Sequence, residues 1–338
     1  MFALQANRFQ KIAEELELPA YRLSQIREWI YRRYASDFYE MSNLSLALRE
    51  TLSAKYRVTE SQVVAVKPGH SSVKLLIQYP DGAKIEGVVL RYRDWSSACL
   101  STQVGCAMGC AFCATGPLGL KRDLSAEEIG EQLWHCGQYV SKNELPPLRN
   151  VVLMGIGEPL ANYRNTVDFI GLANDPQLFG IGQRRITVST AGLVSQILEL
   201  AKLKLSVTLA VSLHAPNEAL RNRLMPISRK QPLQDIVAAC RKYTETTGRR
   251  VTYEYLLLGG VNDQESHAAE LVRLLRGENC LVNLLPYNQV AGASFRPSSR
   301  APAFLRQLEQ GGLQVTIRRS LGQDIAGACG QLRAKLEQ

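Results

Sequence analysis

From about residue 99 onward, short apolar runs alternate with longer amphipathic ones. "NVVLMG", "RRITVST", "LSVTLAVSLH", "RVTYEYLLL", "CLVNLLPYN" and "LQVTIRRS" read as strands, being rich in β-branched and apolar residues. Between them, "SAEEIGEQLWHCGQYV", "LQDIVAACRKYTETT" and "ESHAAELVRLLRG" read as helices. The first of these carries a capping-box signal, Ser125 followed by Glu128. Strands that alternate with helices can share a sheet only as parallel neighbours joined by helical crossovers. The expected fold class is therefore α/β, with a parallel sheet either open or closed into a barrel.

The chain before this region has a different character. "YRLSQIREWIYRRYASDFYEM" sets Leu23, Ile26, Trp29 and Ile30 at helical spacing among Arg22, Arg27, Arg32 and Arg33, and helix-forming "LALRETLSAKYR" follows. Residues 1–60 read as a small basic helical domain. Residues 61–95 are strand-rich, with "PGHSS" and "YPDGAK" as turns, and read as two or three antiparallel strands linking the domains. Residues 96–338 form the β/α domain.

The 338 residues are 46% hydrophobic and 21% charged, enough apolar material for a sizeable core. The net charge of +9 points to an anionic partner, with nucleic acid the first candidate. Charges run through "MFALQANRFQKIAEELEL", which does not read as a secretory signal. No run approaches the roughly 18 apolar residues of a membrane span. The expected location is the cytoplasm, with no membrane partner. In that reducing compartment the eight cysteines are candidates for metal ligands or catalysts rather than disulfides.

Three of them crowd into "GCAMGCAFCATG", residues 105–116: Cys106, Cys110 and Cys113. A structural zinc site usually takes four ligands, often as two separated pairs, and the chain has no second Cys-x-x-Cys pair. Iron–sulfur clusters are held mainly by thiolates, and a cubane with three cysteines keeps one iron open for a substrate or cofactor. Gly105 and Gly109 allow the tight loop that this needs.

The Cys-x3-Cys-x2-Cys spacing, with Phe112 just before the last cysteine, resembles the radical S-adenosylmethionine (SAM) superfamily. The resemblance implies a partial β/α barrel, one [4Fe–4S] cluster, and SAM chelated at the open iron and split to a 5′-deoxyadenosyl radical. Polar groups at successive strand ends, "GIGEPL", "STAG", "SLHAPN" and "LLPYN", suit such a barrel, whose active sites gather at one rim. Taken singly, Gly157, Ser189 and His214 could equally be a turn glycine, a helix cap and a core histidine.

A closer resemblance is to the RlmN/Cfr family of RNA adenine methyltransferases. It rests on "CLSTQVGCAMGCAFCATG", "MGIGEPLANY", "RRITVSTAG", "SLHAPN", "RLMPI", "GVND", "NLLPYN" and "DIAGACGQL", spread over residues 86–332. It implies a SAM site lined by Gly157, Glu158, Ser189, Ser212, Leu213, His214 and Asn288. It also gives roles to two cysteines that would otherwise read as buried small hydrophobes. Cys329 would take a methyl from one SAM, and the radical from a second SAM would activate that methyl for addition to the adenine ring. Cys99 would then attack Cys329, forming a disulfide and releasing the RNA. Glu86, thirteen residues before Cys99, holds the place of the family's base; unaided, it reads as an exposed strand carboxylate. Cys136, Cys240 and Cys280 read as packing residues.

The implied partners are 23S rRNA, tRNA and a flavodoxin-type or other electron donor. Lys121, Arg122, Arg184 and Arg185, with the arginines of residues 22–33, are candidate phosphate contacts. The RlmN branch methylates carbon 2 of adenine and the Cfr branch carbon 8. RlmN, the commoner housekeeping branch, is the expectation. The competing classes are an iron–sulfur electron carrier without a SAM site and a zinc-stabilised RNA-binding module.

Overall fold

Three helices open the chain in a computed structural model that describes residues 6–290, 292–318 and 320–333. They are α1 (Ala6–Glu15), α2 (Ala20–Tyr31) and α3 (Leu46–Lys55). Ile26 and Ile30 are buried as their spacing predicts, while Leu23 and Trp29 are half-buried. Three antiparallel strands follow: β1 (Gln62–Pro68), β2 (Ser72–Gln78) and β3 (Lys84–Arg91). Their connections are the turns read from "PGHSS" and "YPDGAK".

These strands run on into the sheet of the β/α region. β3 pairs antiparallel with β4 (Ser96–Cys99). After a separate two-stranded ribbon, β5 (Gln103–Cys106) and β6 (Gly119–Asp123), comes α4 (Ala126–Lys142). From there strands and helices alternate. They are β7 (Leu148–Leu153), α5 (Tyr163–Asn174), β8 (Ile186–Thr190), α6 (Val194–Lys202) and β9 (Thr208–Ser212). Next are α7 (Glu218–Leu224), α8 (Leu233–Thr247), β10 (Val251–Leu257) and α9 (Glu265–Leu274). The last are β11 (Cys280–Pro286), α10 (Ala301–Gln310) and β12 (Val315–Ile317).

The ten-stranded sheet has the order β1-β2-β3-β4-β7-β8-β9-β10-β11-β12. It is antiparallel as far as β4 and parallel from β4 to β12. This is the mixed α/β, radical SAM-type partial barrel that the sequence implied. Because β4 to β12 run the same way, their C-terminal ends lie along one rim, and every loop that leaves a strand there can reach one site. The capping box at the start of α4 is formed: Ser125 Oγ accepts from Glu128 N at 3.2 Å, and Glu128 Oε2 accepts from Ser125 N at 2.8 Å.

The N-terminal helices share the main core with the barrel, through Phe9, Ile30, Trp134 and Phe179 among others. Trp134 Nε1 of α4 donates to Ile30 O at 2.8 Å, and the rings of Tyr31 and Phe179 meet edge-on at 4.9 Å. Gly137 lets α4 approach closely, since a Cβ there would lie 2.2 Å from the Tyr34 ring.

Of the N-terminal arginines read as RNA contacts, Arg27 and Arg32 are committed to this packing and Arg22 and Arg33 to local partners. Arg32 donates to Phe179 O at 2.7 Å and Pro176 O at 2.8 Å, and Arg27 donates to Gln177 Oε1 at 2.6 Å. Arg22 binds Gln25 and Asn43 O, and Arg33 pairs with Glu28 above the Trp29 ring. Charge counting could not separate a guanidinium that grips the protein from one that waits for phosphate. Arg32→Ala should therefore lower the unfolding free energy by about 2 kcal/mol, as hydrogen bonds from a charged group are lost. Arg33→Ala, removing an exposed pair, should change it by less than about 1 kcal/mol. Urea denaturation of both variants checks the contrast.

Candidate active site

The β5–β6 ribbon carries the cysteine loop at the rim. Gly105, at φ +82°, is required there, because a Cβ would lie 2.0 Å from Gly119 O across the ribbon. Gly109 is also in the left-handed region, at φ +67°. Beyond Cys106 the loop buries Phe112 in an apolar cluster with Leu224, Met225 and Leu256, and backbone contacts fix its course. Ala111 N donates to Leu224 O at 2.9 Å, Cys113 N to Cys110 O at 3.1 Å, and Ala114 N to Gly330 O at 2.7 Å.

Cys106, Cys110 and Cys113 face a cavity of about 170 Å³ at the C-terminal ends of the parallel strands. Gly157, Glu158, Ser189, Ser212 and His214 line it with them, as does Cys329 from the end of the chain. Five of the seven residues implied for the SAM site thus share one cavity with the three cysteines. Leu213 is fully buried in the main core, and what it offers the rim is backbone, its N–H donating to Glu254 O at 3.0 Å. Asn288 lines an adjoining small cavity instead. Its Nδ2 donates to Cys329 O at 3.1 Å, and its Oδ1 accepts from Ser320 and Gln323.

Each rim residue is positioned by its neighbours. Gly157, at φ +110°, packs so close to Thr102 and Gln103 that a Cβ would come within 2.8 Å of both. Glu158 accepts from Leu160 N at 3.0 Å and Ala191 N at 2.6 Å, tying the ends of β7 and β8 together. His214 sits at φ +56°, accepts from Leu256 N at Nδ1 over 3.1 Å, and meets the Phe112 ring edge-on at 4.9 Å. An Nδ1 that accepts leaves the ring proton on Nε2.

The cavity penalises charge. Burial pushes the carboxyls of Glu158 and Glu254 up to about 7. Burial likewise raises the Cys106 thiol to about 11 and raises Cys110 further, the other thiols of the loop adding to it. Burial and the nearby Arg221 push His214 down to about 3, so its imidazole is neutral. Three thiols and an acid that line one cavity form a donor set that suits a cationic cluster. Three thiols that line one cavity suit a multi-iron cluster, in which each takes its own iron. The donor set therefore fits the group that the sequence implied.

The adjoining cavity, about 30 Å³, is lined by Cys99, Asn288, Arg318 and Cys329 among others. Cys329, the one exposed cysteine among the described residues, borders both cavities. Cys99 is buried on β4, and burial, then Cys329, push its thiol up to about 12. Glu86 borders neither cavity and is fully buried, not the exposed strand carboxylate its sequence setting suggests. Its Oε1 pairs with Lys74 Nζ at 2.8 Å, and its Oε2 accepts from Arg333 N at 2.7 Å.

Sequence reasoning passed over four charged residues here. Glu254 lines the main cavity and was signalled by a lone charge in the buried run "VTYEYLL". Arg318 follows β12, lines both cavities, and donates to Met154 Sδ at 3.4 Å. Lys74 is buried in the middle of β2. Arg221, fully buried behind the rim, left no signal in the sequence.

Comparison with known proteins places these features in context. The family model of the radical SAM superfamily matches residues 100–272, and that of the ribosomal RNA large subunit methyltransferase N-terminal domain matches residues 1–58. A Pelotomaculum thermopropionicum protein described as "Probable dual-specificity RNA methyltransferase RlmN" is 47% identical over 321 residues, 94% of this chain and 86% of its own. Proteins of the same description from Spiroplasma citri and Bacillus thuringiensis are 43% and 42% identical. They cover 94% and 99% of this chain, and 92% and 93% of their own. The crystal structure of a radical SAM methyltransferase from Sphaerobacter thermophilus superposes with a TM-score of 0.92 at 42% identity, covering 98% of this chain and 97% of that one.

The raised Glu254 carboxyl makes a prediction about pH. Its proton is held in the folded chain and released by the unfolded one between about pH 4.5 and 7, so its contribution to stability falls as pH rises through that window. Glu254→Gln should therefore stabilise the ligand-free protein by roughly 1–3 kcal/mol at pH 8 and change it little at pH 4.5. Urea denaturation at the two pH values reads the difference.

Proposed function

The chain belongs to the RlmN family of radical SAM RNA methyltransferases, and on that premise we propose that it methylates carbon 2 of adenine in 23S rRNA and tRNA through a methyl group carried on Cys329. The observation that carries the reading is the place of Cys329, which borders both the cysteine-loop cavity and the cavity that holds Cys99. One thiol there can meet a methyl donor on one side and a resolving thiol on the other.

Cys106, Cys110 and Cys113 would hold a [4Fe–4S] cluster, with Gly157, Glu158, Ser189, Ser212 and His214 around SAM. When bound, cluster and SAM supply a methyl group and a hydrogen-abstracting radical, and two SAM molecules are consumed per turnover. The chain's own residues do the rest. Gly157 leaves room for close approach, and Glu158 offers a carboxylate to a cationic amino group. The Cys329 sulfur accepts the methyl, and the activated methylene forms a carbon–carbon bond to the ring, which would then give up its proton and one electron, the electron returning to the oxidised cluster. Arg318 presents positive charge to both cavities. Glu86 stands at the family's base position. For its carboxylate to receive the ring proton, the segment bearing Cys329 must shift, because Arg333 N–H occupies one of its oxygens. Cys99 then attacks the Cys329 sulfur, the carbon–sulfur bond breaks toward the product, and a disulfide remains.

An RNA base must leave its stack to enter a cavity this deep. The exposed Lys121 on β6 and the exposed Arg223, Arg229 and Lys230, beside the segment that holds the cysteine loop, are placed to take phosphates near the rim. Arg184 and Arg185 precede β8 and so lie at the opposite end of the sheet. Arg122 is bound to Asp81 and Glu128. Ribosomal RNA as substrate puts the enzyme in the cytoplasm.

Nucleoside mass spectrometry of rRNA and tRNA from a deletion strain tests the assignment. Loss of 2-methyladenosine from both is expected. Loss of 8-methyladenosine with 2-methyladenosine unchanged would assign carbon 8. In purified protein, Cys329→Ala should abolish RNA methylation while SAM cleavage under reductant persists. Cys99→Ala should leave RNA covalently attached to the protein. A zinc protein without SAM cleavage would overturn the reading.

A further inference from the structure

We propose that Lys74 is a positioning residue of this enzyme, whose ammonium, paired with Glu86, clamps both ends of the segment that presents Cys329. The functional weight of the clamp rests on the reading of Cys329 as methyl carrier. The clamp itself rests on geometry alone.

Lys74 on β2 and Glu86 on β3 are diagonal neighbours, since Leu76 stands opposite Glu86 and Val88 opposite Lys74. Their side chains are 3% and 0% exposed, and Nζ and Oε1 are 2.8 Å apart. Each partner also holds one end of the Cys329 segment. Lys74 Nζ donates to Ala326 O at 3.3 Å, and Arg333 N donates to Glu86 Oε2 at 2.7 Å. Ala326, at φ +49°, is a non-glycine residue held in the left-handed region where the segment turns. Between these two points the cysteine loop grips the segment from the other side. Ala114 N donates to Gly330 O and Thr115 Oγ1 to Leu332 O, both at 2.7 Å.

A buried ion pair is a costly way to close a hairpin. On the same face Val88 and Leu90 meet Leu332 through apolar contact, and at the hairpin turn His70 N donates to Asp324 Oδ2 at 2.7 Å. Replacing such a pair by apolar residues is often neutral for stability, so stability alone does not call for it. What the pair adds is direction: a donor for the Ala326 carbonyl and an acceptor for the Arg333 amide. Together they tie the two ends of the segment that carries Cys329, while Asn288 holds the Cys329 carbonyl between them. The pair also joins the family's base position to the same segment, so a change at Glu86 is felt at Cys329.

Amide hydrogen exchange of the anaerobically purified, cluster-loaded protein tests the clamp without reference to turnover. In Lys74→Met, exchange at residues 326–333 should accelerate about tenfold or more, the scale of losing hydrogen bonds to charged groups. Exchange in β8 and β9 should stay unchanged. Lys74→Arg, which keeps a charged donor, should hold the segment near the wild-type rate. Should the single variant fail to fold, Lys74→Leu with Glu86→Leu removes both charges together. That double variant should fold and still show the fast segment. Wild-type exchange in the double variant, or a Lys74→Arg segment as fast as that of Lys74→Met, would overturn the proposal. Mass spectrometry of Cys329 separates the two readings. A fast segment with no methyl on Cys329 in any variant or in wild type would leave the clamp standing and remove the methyl-carrier role.

Discussion

A single buried guanidinium organises the rim on which this site is built. Arg221 is fully buried, and the acceptors it reaches are Ala191 O, Ser212 O, Leu213 O, Gln231 O and Ser228 Oγ. Burial lowers its proton affinity to about 10, which still leaves it charged at neutral pH. Removing such a charge from water costs several kcal/mol, and a fan of charge-assisted hydrogen bonds offsets the cost. The backbone it binds carries the rest of the rim. Ala191 N reaches back to Glu158 at the end of β7, while Leu213 N and His214 N reach forward to Glu254 O on β10. Leu224, on the same helix as Arg221, receives Ala111 of the cysteine loop. One cation therefore sets the relative position of four strand ends and the loop that carries the three thiols.

That architecture explains the electrostatics of the cavity. Carboxyls and thiols face a space closed by strand ends, Phe112 and Met225, and burial pushes Glu158, Glu254, Cys106 and Cys110 toward their neutral forms. An acid whose proton affinity is raised this far carries less negative charge before a cationic ligand arrives. The same burial that weakens the free site would strengthen its hold on positive charge once that charge is present.

The order of elements was legible because strand and helix periodicity report which faces are buried, and alternation admits few topologies. The cysteine spacing and the strand-end motifs led to one cavity for the same reason: parallel strands bring their C-terminal ends together whatever lies between them. What the sequence hid depends on long-range pairing. Glu86 and Lys74 look like polar positions of a half-exposed hairpin until the C-terminal segment folds over them. Arg27 and Arg32 look like phosphate contacts until loop 176–180 meets them. Asn288 lies in "NLLPYN" at a strand end, yet its side chain turns to Cys329. In each case the deciding partner is far away in sequence, and local pattern carries no trace of it.

The two thiols of the proposed chemistry stand on elements of opposite character. Cys99 ends β4, where the sheet changes from antiparallel to parallel, and pairs with Val88 on one side and Val152 on the other. It cannot shift without breaking both ladders. Cys329 lies outside any strand or helix, on a segment that turns through left-handed positions at Gly322, Ala326 and Gly330. Disulfide formation requires Cα atoms roughly 4.4–6.8 Å apart with the Cβ atoms directed at each other. With Cys99 fixed in the sheet, the adjustment between carrying a methyl group and meeting Cys99 falls to the Cys329 segment. On the proposed chemistry, a resolving thiol set in the sheet and a carrier tethered at both ends would let one sulfur serve the two cavities that Cys329 borders.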